Sequence, residues 1–229
     1  MALFRLGTPA EPKHAIRGDD VFLRPLEARD HPAWAALREQ SRDFLTPWEP
    51  TWSADDLTRS AYRRRLRRHA GEMERDEAYP FLIFRQNDGD LLGGLTLGHV
   101  RRGVSQTATL GYWMGQPFAG RGYMARAVRA ALTYGFAHLR LHRIEAACLT
   151  HNERSIRLLE GTGFHREGLA RAYLRINGTW QDHLLFARLD SDPAAPAVRV
   201  CPSPIGDEAG LSLQTICAPT GDEPCSRPA

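Results

Sequence analysis

The stretch from Gln106 to Leu149 limits the fold more than any other part of the chain. It reads as a strand, a glycine-rich loop, an amphipathic helix and a nearly apolar strand, in that order. Gln106 to Gly115 has the pattern of a strand. Gln116-Pro117-Phe118-Ala119-Gly120-Arg121-Gly122 is too rich in glycine to be regular. From about Tyr123 to Arg140, Met124, Val128, Leu132, Phe136 and Leu139 fall on one helical face. Arg143 to Leu149 is apolar enough to expect cover on both faces.

The flanking segments extend this unit into a sheet. Val21 to Leu26 reads as a short strand. Asp30 is expected to cap a helix that Pro32 starts and that runs to about Gln40. Residues 42 to 52 read as irregular. Ser53 and Asp56 have the spacing of a capping box, opening a helix with Leu57, Tyr62, Leu66, Ala70 and Met73 on one side. Tyr79 to Gln86 and Leu91 to Arg101 flank the turn signal Asn87-Asp88-Gly89. Glu153 to Thr162 reads as a short helix with Gly163 just past its end. Phe164 to Ile176 and Thr179 to Leu189 meet at Asn177-Gly178, the strongest short hairpin signal. The expected fold class is α/β (α+β): a mixed, mostly antiparallel seven-stranded sheet with helices on both faces.

Composition narrows the setting. The chain has 229 residues, 42% of them hydrophobic and 25% charged, as in a soluble globule with a real core. No apolar run approaches the ~18 residues of a spanning helix, and Met1 to His14 lacks a secretory pattern. Cys148 sits in an apolar run. Cys201, Cys217 and Cys225 lie near the C-terminus without metal-site spacing, so neither a metal nor a disulfide scaffold is expected. A reducing cytoplasm is the simplest compartment. The net charge of +3 hides an acidic segment from Asp190 onward and a basic body. That segment holds seven of the 15 prolines and no aromatic residue. It reads as a disordered tail over 190–229. An N-terminal extension (1–20) and one domain (21–189) make up the rest.

The loop at 119–125 carries the first chemical signal. Glycines that open a helix leave backbone N–H groups free at the positive end of its dipole, which suits an anion. The same glycines also suit a tight connection that needs φ > 0. The spacing is neither G-x-G-x-x-G nor that of a P-loop, so dinucleotide and triphosphate folds do not fit.

Ala119-Gly120-Arg121-Gly122-Tyr123-Met124 resembles the coenzyme A pyrophosphate loop of the GNAT superfamily of N-acetyltransferases, Gln/Arg-x-x-Gly-x-Gly/Ala, differing at its two ends. Further segments resemble the ribosomal-protein-alanine N-acetyltransferase branch. They are Phe44-Leu45-Thr46-Pro47-Trp48-Glu49-Pro50, the run His142-Arg143-Ile144 through His151-Asn152-Glu153-Arg154-Ser155 to Gly163-Phe164, and Asn177-Gly178-Thr179-Trp180-Gln181-Asp182-His183. The likeness covers roughly Val21 to Leu189.

The resemblance implies a GNAT-like fold and acetyl transfer from acetyl-CoA, as cosubstrate, to an amine. It implies that Tyr112, Trp113 and Met114 pair their backbone with the pantetheine arm, on a strand that splays from 143–149. Gly120, Arg121, Gly122, Tyr123, Met124 and Ala125 would hold the pyrophosphate. A backbone N–H near Met114 would polarise the thioester carbonyl. Asn152 would bind a pantetheine amide, and it also suits a helix N-cap. The tyrosine that many members use to protonate the thiolate is replaced by Leu159, and the role passes to Ser155, which also suits a capping hydroxyl. Glu49, beside Trp48 on the substrate side, would fix an incoming ammonium and relay its proton. Desolvation by Trp48 and Trp52 would make it a better base. Glu49 also reads as an ordinary surface-loop carboxylate.

The acceptor implied is a protein α-amine, with the N-terminal alanine of a ribosomal protein in view. A small-molecule amine is the alternative in substrate. A coenzyme A-binding, ribosome-associated module with low activity is the alternative in class. Arg59, Arg63, Arg64, Arg65, Arg67 and Arg68 read either as a solvated helix face or as a contact for RNA or an acidic partner. His151 is a possible coenzyme or substrate contact. His142 and His183 are expected to hydrogen-bond within the sheet. Asp182 and His183 have no serine on a nucleophile elbow to serve, so a hydrolase does not fit.

Overall fold

The leucine- and aromatic-rich runs between Tyr79 and Met114 are long enough to cross a sheet, and short turns separate them. In the computed structural model, which describes residues 15–193, they form the centre of an eight-stranded sheet. In chain order the elements begin with β1 (Ile16–Arg17), β2 (Val21–Arg24), α1 (His31–Gln40), α2 (Arg42–Leu45) and α3 (Arg59–Glu74). They continue with β3 (Tyr79–Arg85), β4 (Leu91–Arg101), β5 (Thr107–Met114), α4 (Tyr123–Thr133), β6 (Arg143–Leu149), α5 (Glu153–Gly161), β7 (His165–Ile176) and β8 (Thr179–Leu189). The spatial order is β1-β2-β3-β4-β5-β6-β8-β7. Every neighbouring pair is antiparallel except β5 and β6, which run parallel.

Side-chain alternation along the strands feeds a core on each face. Along β3, Phe81 and Ile83 join Val128, Ala131, Leu97 and Ile144 in the cluster that α4 covers. Leu82 and Phe84 point the other way, to Trp34, Leu37 and Tyr62 of α1 and α3. Each large buried side chain contributes roughly 1.5–3 kcal/mol. Gly93 lets β4 and β5 lie close: a Cβ there would meet the Trp113 carbonyl oxygen at 2.3 Å.

The parallel pair is short. Thr107, Ala108, Thr109 and Leu110 pair with Arg143, Ile144, Glu145 and Ala146, and pairing then stops. Beyond that point β5 stays with β4 as far as Met114 opposite Gly93. β6 stays with β8 as far as Leu149 opposite His183. The two strand ends therefore part, as expected of a splayed pair.

Several local expectations change. The sheet has eight strands rather than seven, because Ile16 and Arg17 pair with Leu23 and Phe22. Residues expected in the N-terminal extension thus add an edge strand too short to show a pattern. Asp30 does not cap α1 through its side chain. Its carboxylate accepts from the Arg24 guanidinium at 2.6 and 2.7 Å and from Glu27 N–H at 2.8 Å. Ser53 and Asp56 form no capping box: Ser53 Oγ donates to Asp55 at 2.9 Å and Asp56 pairs with Arg65. α3 starts later, where Thr58 Oγ1 accepts from Ala61 N–H at 3.2 Å. Residues 42–48 hold α2 and a 3-10 turn rather than irregular chain. The helix expected to reach Arg140 changes to a π-helical turn over Tyr134–His138. Gly135 lies against Ile144 there, where a Cβ would sit 2.7 Å from Ile144 Cδ1. The expected tail beyond Pro193, with Cys201, Cys217 and Cys225, and the extension before Ala15 lie outside the described residues.

Candidate active site

Where β5 and β6 part, a cavity of about 970 Å³ opens. Its floor is β5 from Leu110 to Met114 and β6 from Ala147 to Leu149. The glycine loop, α5 with Asn152 before it, the segment holding Trp48 and Glu49, and Leu174–Ile176 with His183 line the rest.

The loop has the geometry its glycines permit. Gly120 and Gly122 are left-handed, with φ of +75° and +77°, where an L side chain costs about 1–2 kcal/mol. Gly122 is the residue just before α4. The first N–H groups of that helix, from Tyr123 to Ala125, have no carbonyl one turn back and form the positive end of its dipole. Arg121 is exposed. Arg126 lies over the Tyr123 ring at 5.4 Å and 3.8 Å from the Asp20 carboxylate.

Tyr112, Trp113 and Met114 form the end of β5 that has no partner on the β6 side. Gly115 N–H donates to Leu92 O at 2.8 Å, toward β4. Backbone groups alternate along a strand, so Met114 N–H turns the other way, toward the cleft. The Trp113 indole lies over Gly94, where a Cβ would meet Nε1 at 2.4 Å.

α5 brings Asn152 and Ser155 to the same cleft. Asn152 caps the helix: its Oδ1 accepts from Ser155 N–H at 3.1 Å. Its amide NH2 keeps its donors. Ser155 Oγ and Tyr112 Oη lie 2.5 Å apart. Burial raises the Tyr112 phenol well above its usual pKa. Cys148 also lines the cleft and is buried, with its thiol pushed up to about 11 by desolvation. Leu159 is fully buried in the core.

Glu49 is placed differently from the expectation. It lines the cleft beside Trp48, and its carboxylate already accepts three hydrogen bonds within the protein. Arg38 donates to both oxygens at 2.7 Å, and Trp52 Nε1 donates at 2.8 Å. The Arg38 guanidinium also lies over the rings of Trp52 at 4.1 Å and Trp113 at 4.9 Å. The backbone of Glu49 accepts from Asn177 N–H at 2.9 Å, which ties this loop to the β7–β8 turn. Trp48 packs on His151, ring centroids 5.5 Å apart. His183 Nδ1 bonds Gln181 O within its own strand at 2.9 Å. Arg38 was invisible in the sequence, because its partner lies eleven residues on, across a change of element. Tyr112 stood out for its backbone only. Nothing in its spacing linked its hydroxyl to a serine 43 residues away.

The arginine-rich helix divides in two. Arg64, Arg65 and Arg68 pair with Asp55, Asp56 and Glu72. Arg59, Arg63 and Arg67, one turn apart, are exposed. Among the described residues, no group of three His, Cys, Asp or Glu side chains could hold a metal. None of the described helices is long and apolar enough to cross a membrane.

An open strand edge, two left-handed glycines and a free helix N-terminus around one cleft fit a long, anionic, amide-bearing cosubstrate. Comparison with known proteins points the same way. The model of the acetyltransferase (GNAT) domain matches residues 20–165. The chain is 38% identical over 177 residues to the probable N-acetyltransferase YjcK of Bacillus subtilis, covering 77% of this chain and 98% of that one. It is 34% identical over 181 residues to the ribosomal protein uS5-alanine N-acetyltransferase of Escherichia coli, covering 79% and 93%. Among solved structures, Mycobacterium smegmatis RimJ in complex with CoA-disulfide matches with a TM-score of 0.73 at 32% identity, covering 80% and 90%. The ribosomal-protein-S5-alanine acetyltransferase of Vibrio fischeri matches with a TM-score of 0.73 at 29% identity, covering 79% and 98%.

Proposed function

The chain belongs to the GNAT acetyltransferases, and from that premise we propose that its acceptor is the α-amine of a protein N-terminus, with the N-terminal alanine of a ribosomal protein favoured. It is an N-acetyltransferase with acetyl-CoA as cosubstrate. The finer reading rests on one observation. Glu49 is the one carboxylate lining the cleft among the described residues, and Arg38 and Trp52 already occupy it. A carboxylate so engaged is a weak base, which favours an acceptor that arrives largely deprotonated. An α-amine, with a pKa of about 7.7–8.0, does so near neutral pH, whereas a lysine at about 10.4 does not. The relatives named above as ribosomal-protein-alanine acetyltransferases agree with such an acceptor, and the same reading puts the work in the cytoplasm.

In this reading the chain's groups divide the task. The loop N–H groups of residues 120–125 bind phosphate. The open edge of β5 and the Asn152 amide orient the pantetheine arm. Met114 N–H faces the carbonyl oxygen on which charge develops. Ser155 O–H gives its proton to the departing sulfur. Glu49 shapes the acceptor side by holding Arg38.

The test is thiol release from acetyl-CoA with peptides starting Ala, Ser or Met, free amino acids, polyamines and aminoglycosides. Turnover is expected on an Ala- or Ser-starting peptide. Its kcat/KM should rise with pH and level off near about 8, as the α-amine loses its proton. Turnover confined to a small amine, or a rise continuing toward pH 10, overturns the reading. Turnover only on intact ribosomal particles, lost at high salt, brings the exposed Arg59, Arg63 and Arg67 into acceptor recognition.

A further inference from the structure

Two hydroxyls meet in the cleft wall with no chemical purpose in packing alone. Tyr112 comes from the unpaired end of β5 and Ser155 from the first turn of α5, and their oxygens are 2.5 Å apart. Both line the cavity, and Ser155 is only 9% exposed. Asn152 holds the Ser155 backbone at 3.1 Å, which fixes the turn that carries the hydroxyl.

One of the two oxygens must donate and the other accept. A phenol is a far stronger acid than an alcohol, and so the better donor. Tyr112 is also kept protonated by its burial. With Tyr112 as donor, the serine oxygen accepts, and the serine's own O–H remains free to turn into the cleft. The reverse arrangement would use up the serine proton on the phenol oxygen. Seven residues past Asn152 stands Leu159, fully buried, so no phenol reaches the cleft from α5. Tyr112 brings one in from β5.

We propose that Tyr112 is a positioning residue: its O–H donates to Ser155 Oγ and so presents the serine proton to the sulfur that leaves. The inference rests on the reading of Ser155 as proton donor. The step balances. The acceptor nitrogen forms its bond to the carbonyl carbon, the carbon–sulfur bond breaks, and its electron pair stays on sulfur. Sulfur takes the serine proton and becomes a thiol. In the same step the serine oxygen, still accepting from the Tyr112 O–H, regains through solvent the proton that the acceptor nitrogen sheds, so no free alkoxide forms beside the phenol. Tyr112 itself ends the cycle as it began.

The experiment is a double-mutant cycle of Tyr112→Phe and Ser155→Ala, read as kcat and as KM for acetyl-CoA on whichever amine turns over fastest. Tyr112→Phe is expected to lower kcat about 10- to 100-fold. KM for acetyl-CoA should stay within about twofold, since the ring and the strand edge remain. Ser155→Ala should cost at least as much, and the double variant no more than Ser155→Ala alone, because Tyr112 acts through the serine. A wild-type kcat for Tyr112→Phe, or a double variant that loses the product of the two single effects, overturns the proposal. A wild-type kcat for Ser155→Ala overturns the serine reading itself, and is distinct from the case in which only Tyr112→Phe is silent. Should Tyr112→Phe melt early, 3-fluorotyrosine at position 112 supplies a more acidic donor of nearly the same shape. It should raise kcat, and an unchanged rate with an intact melting temperature overturns the proposal.

Discussion

Arg38 holds the acceptor side of the cleft together through two kinds of contact at once. Its side chain is 7% exposed, forked onto Glu49 and placed between two indole faces. Removing one partner of such a pair leaves a charge with poor solvation, which costs 3–5 kcal/mol for a fully buried pair. Glu49 is a fifth exposed, so a loss of about 2–3 kcal/mol is expected for Arg38→Ala and somewhat less for Glu49→Gln. Urea unfolding measures both. Arg38→Lys should recover little, because an ammonium neither forks onto a carboxylate nor stacks on two indoles. The two variants should also share one kinetic defect, a raised KM for the acceptor, since both break the same object. A Glu49→Gln protein with normal KM and a kcat reduced a hundredfold would restore Glu49 to the role of base. At this scale, what could be read from the residues was what is local. Asn152 caps a serine three residues on, and the glycines at 120 and 122 carry the positive φ they suggest. The fork on Glu49 and the Tyr112–Ser155 bond depend on which elements the fold brings together, and spacing carries no trace of that.

At the level of elements, β4, β6 and β8 run over the residues their patterns indicate. Each is bounded by a turn whose chemistry is local, such as Asn177-Gly178 with φ of +43° and +80°. α3 starts later than the Ser53–Asp56 spacing suggests, because two short polar residues can satisfy a turn as well as a cap. Ser53 and Asp56 do the former, and Thr58 does the latter. α3 also carries a consequence of its arginines. His69 Nδ1 is buried without a hydrogen-bond partner. Desolvation first, and then the nearby Arg68 and Arg65, lower its pKa from 6.5 to about 4. The group must stay neutral in the folded state, while the unfolded chain takes up a proton below about 6.5. Stability from this site is therefore complete above pH 6.5 and declines as pH falls toward about 4. Urea midpoints for wild type and His69→Leu, measured from pH 7 to pH 4, should diverge in slope over that interval. Parallel curves would show that the ring is solvated.

Taken whole, the domain is a meander of five strands joined to a group of three. The end proposed near Leu189 is tied back by Leu189 N–H to Asp192 at 2.8 Å and by Arg188 to the carbonyl of Pro193 at 2.7 Å. The join between the groups is the short run from Thr107 to Leu110 against Arg143 to Ala146. Past those rungs the backbone edges of Gly111–Met114 and Ala147–Leu149 face a gap. Hydrogen exchange in the free protein should be fastest, within the central strands, along these two edges. Coenzyme A should slow it there more than anywhere else in the sheet. Uniform protection over all strands would argue that the two groups are already rigidly joined.

The same seam sets an order of events for the chain as it leaves the ribosome. The five-strand meander contains only neighbours in sequence, and can close once α4, which covers one of its faces, has emerged behind it. The second group must wait for its last strand, β8, which lies between β6 and β7. The cleft is therefore the last feature of the domain to exist. A chain arrested before residue 189 holds half a sheet with β5 as a bare edge, and that intermediate is where misassembly of this enzyme should begin.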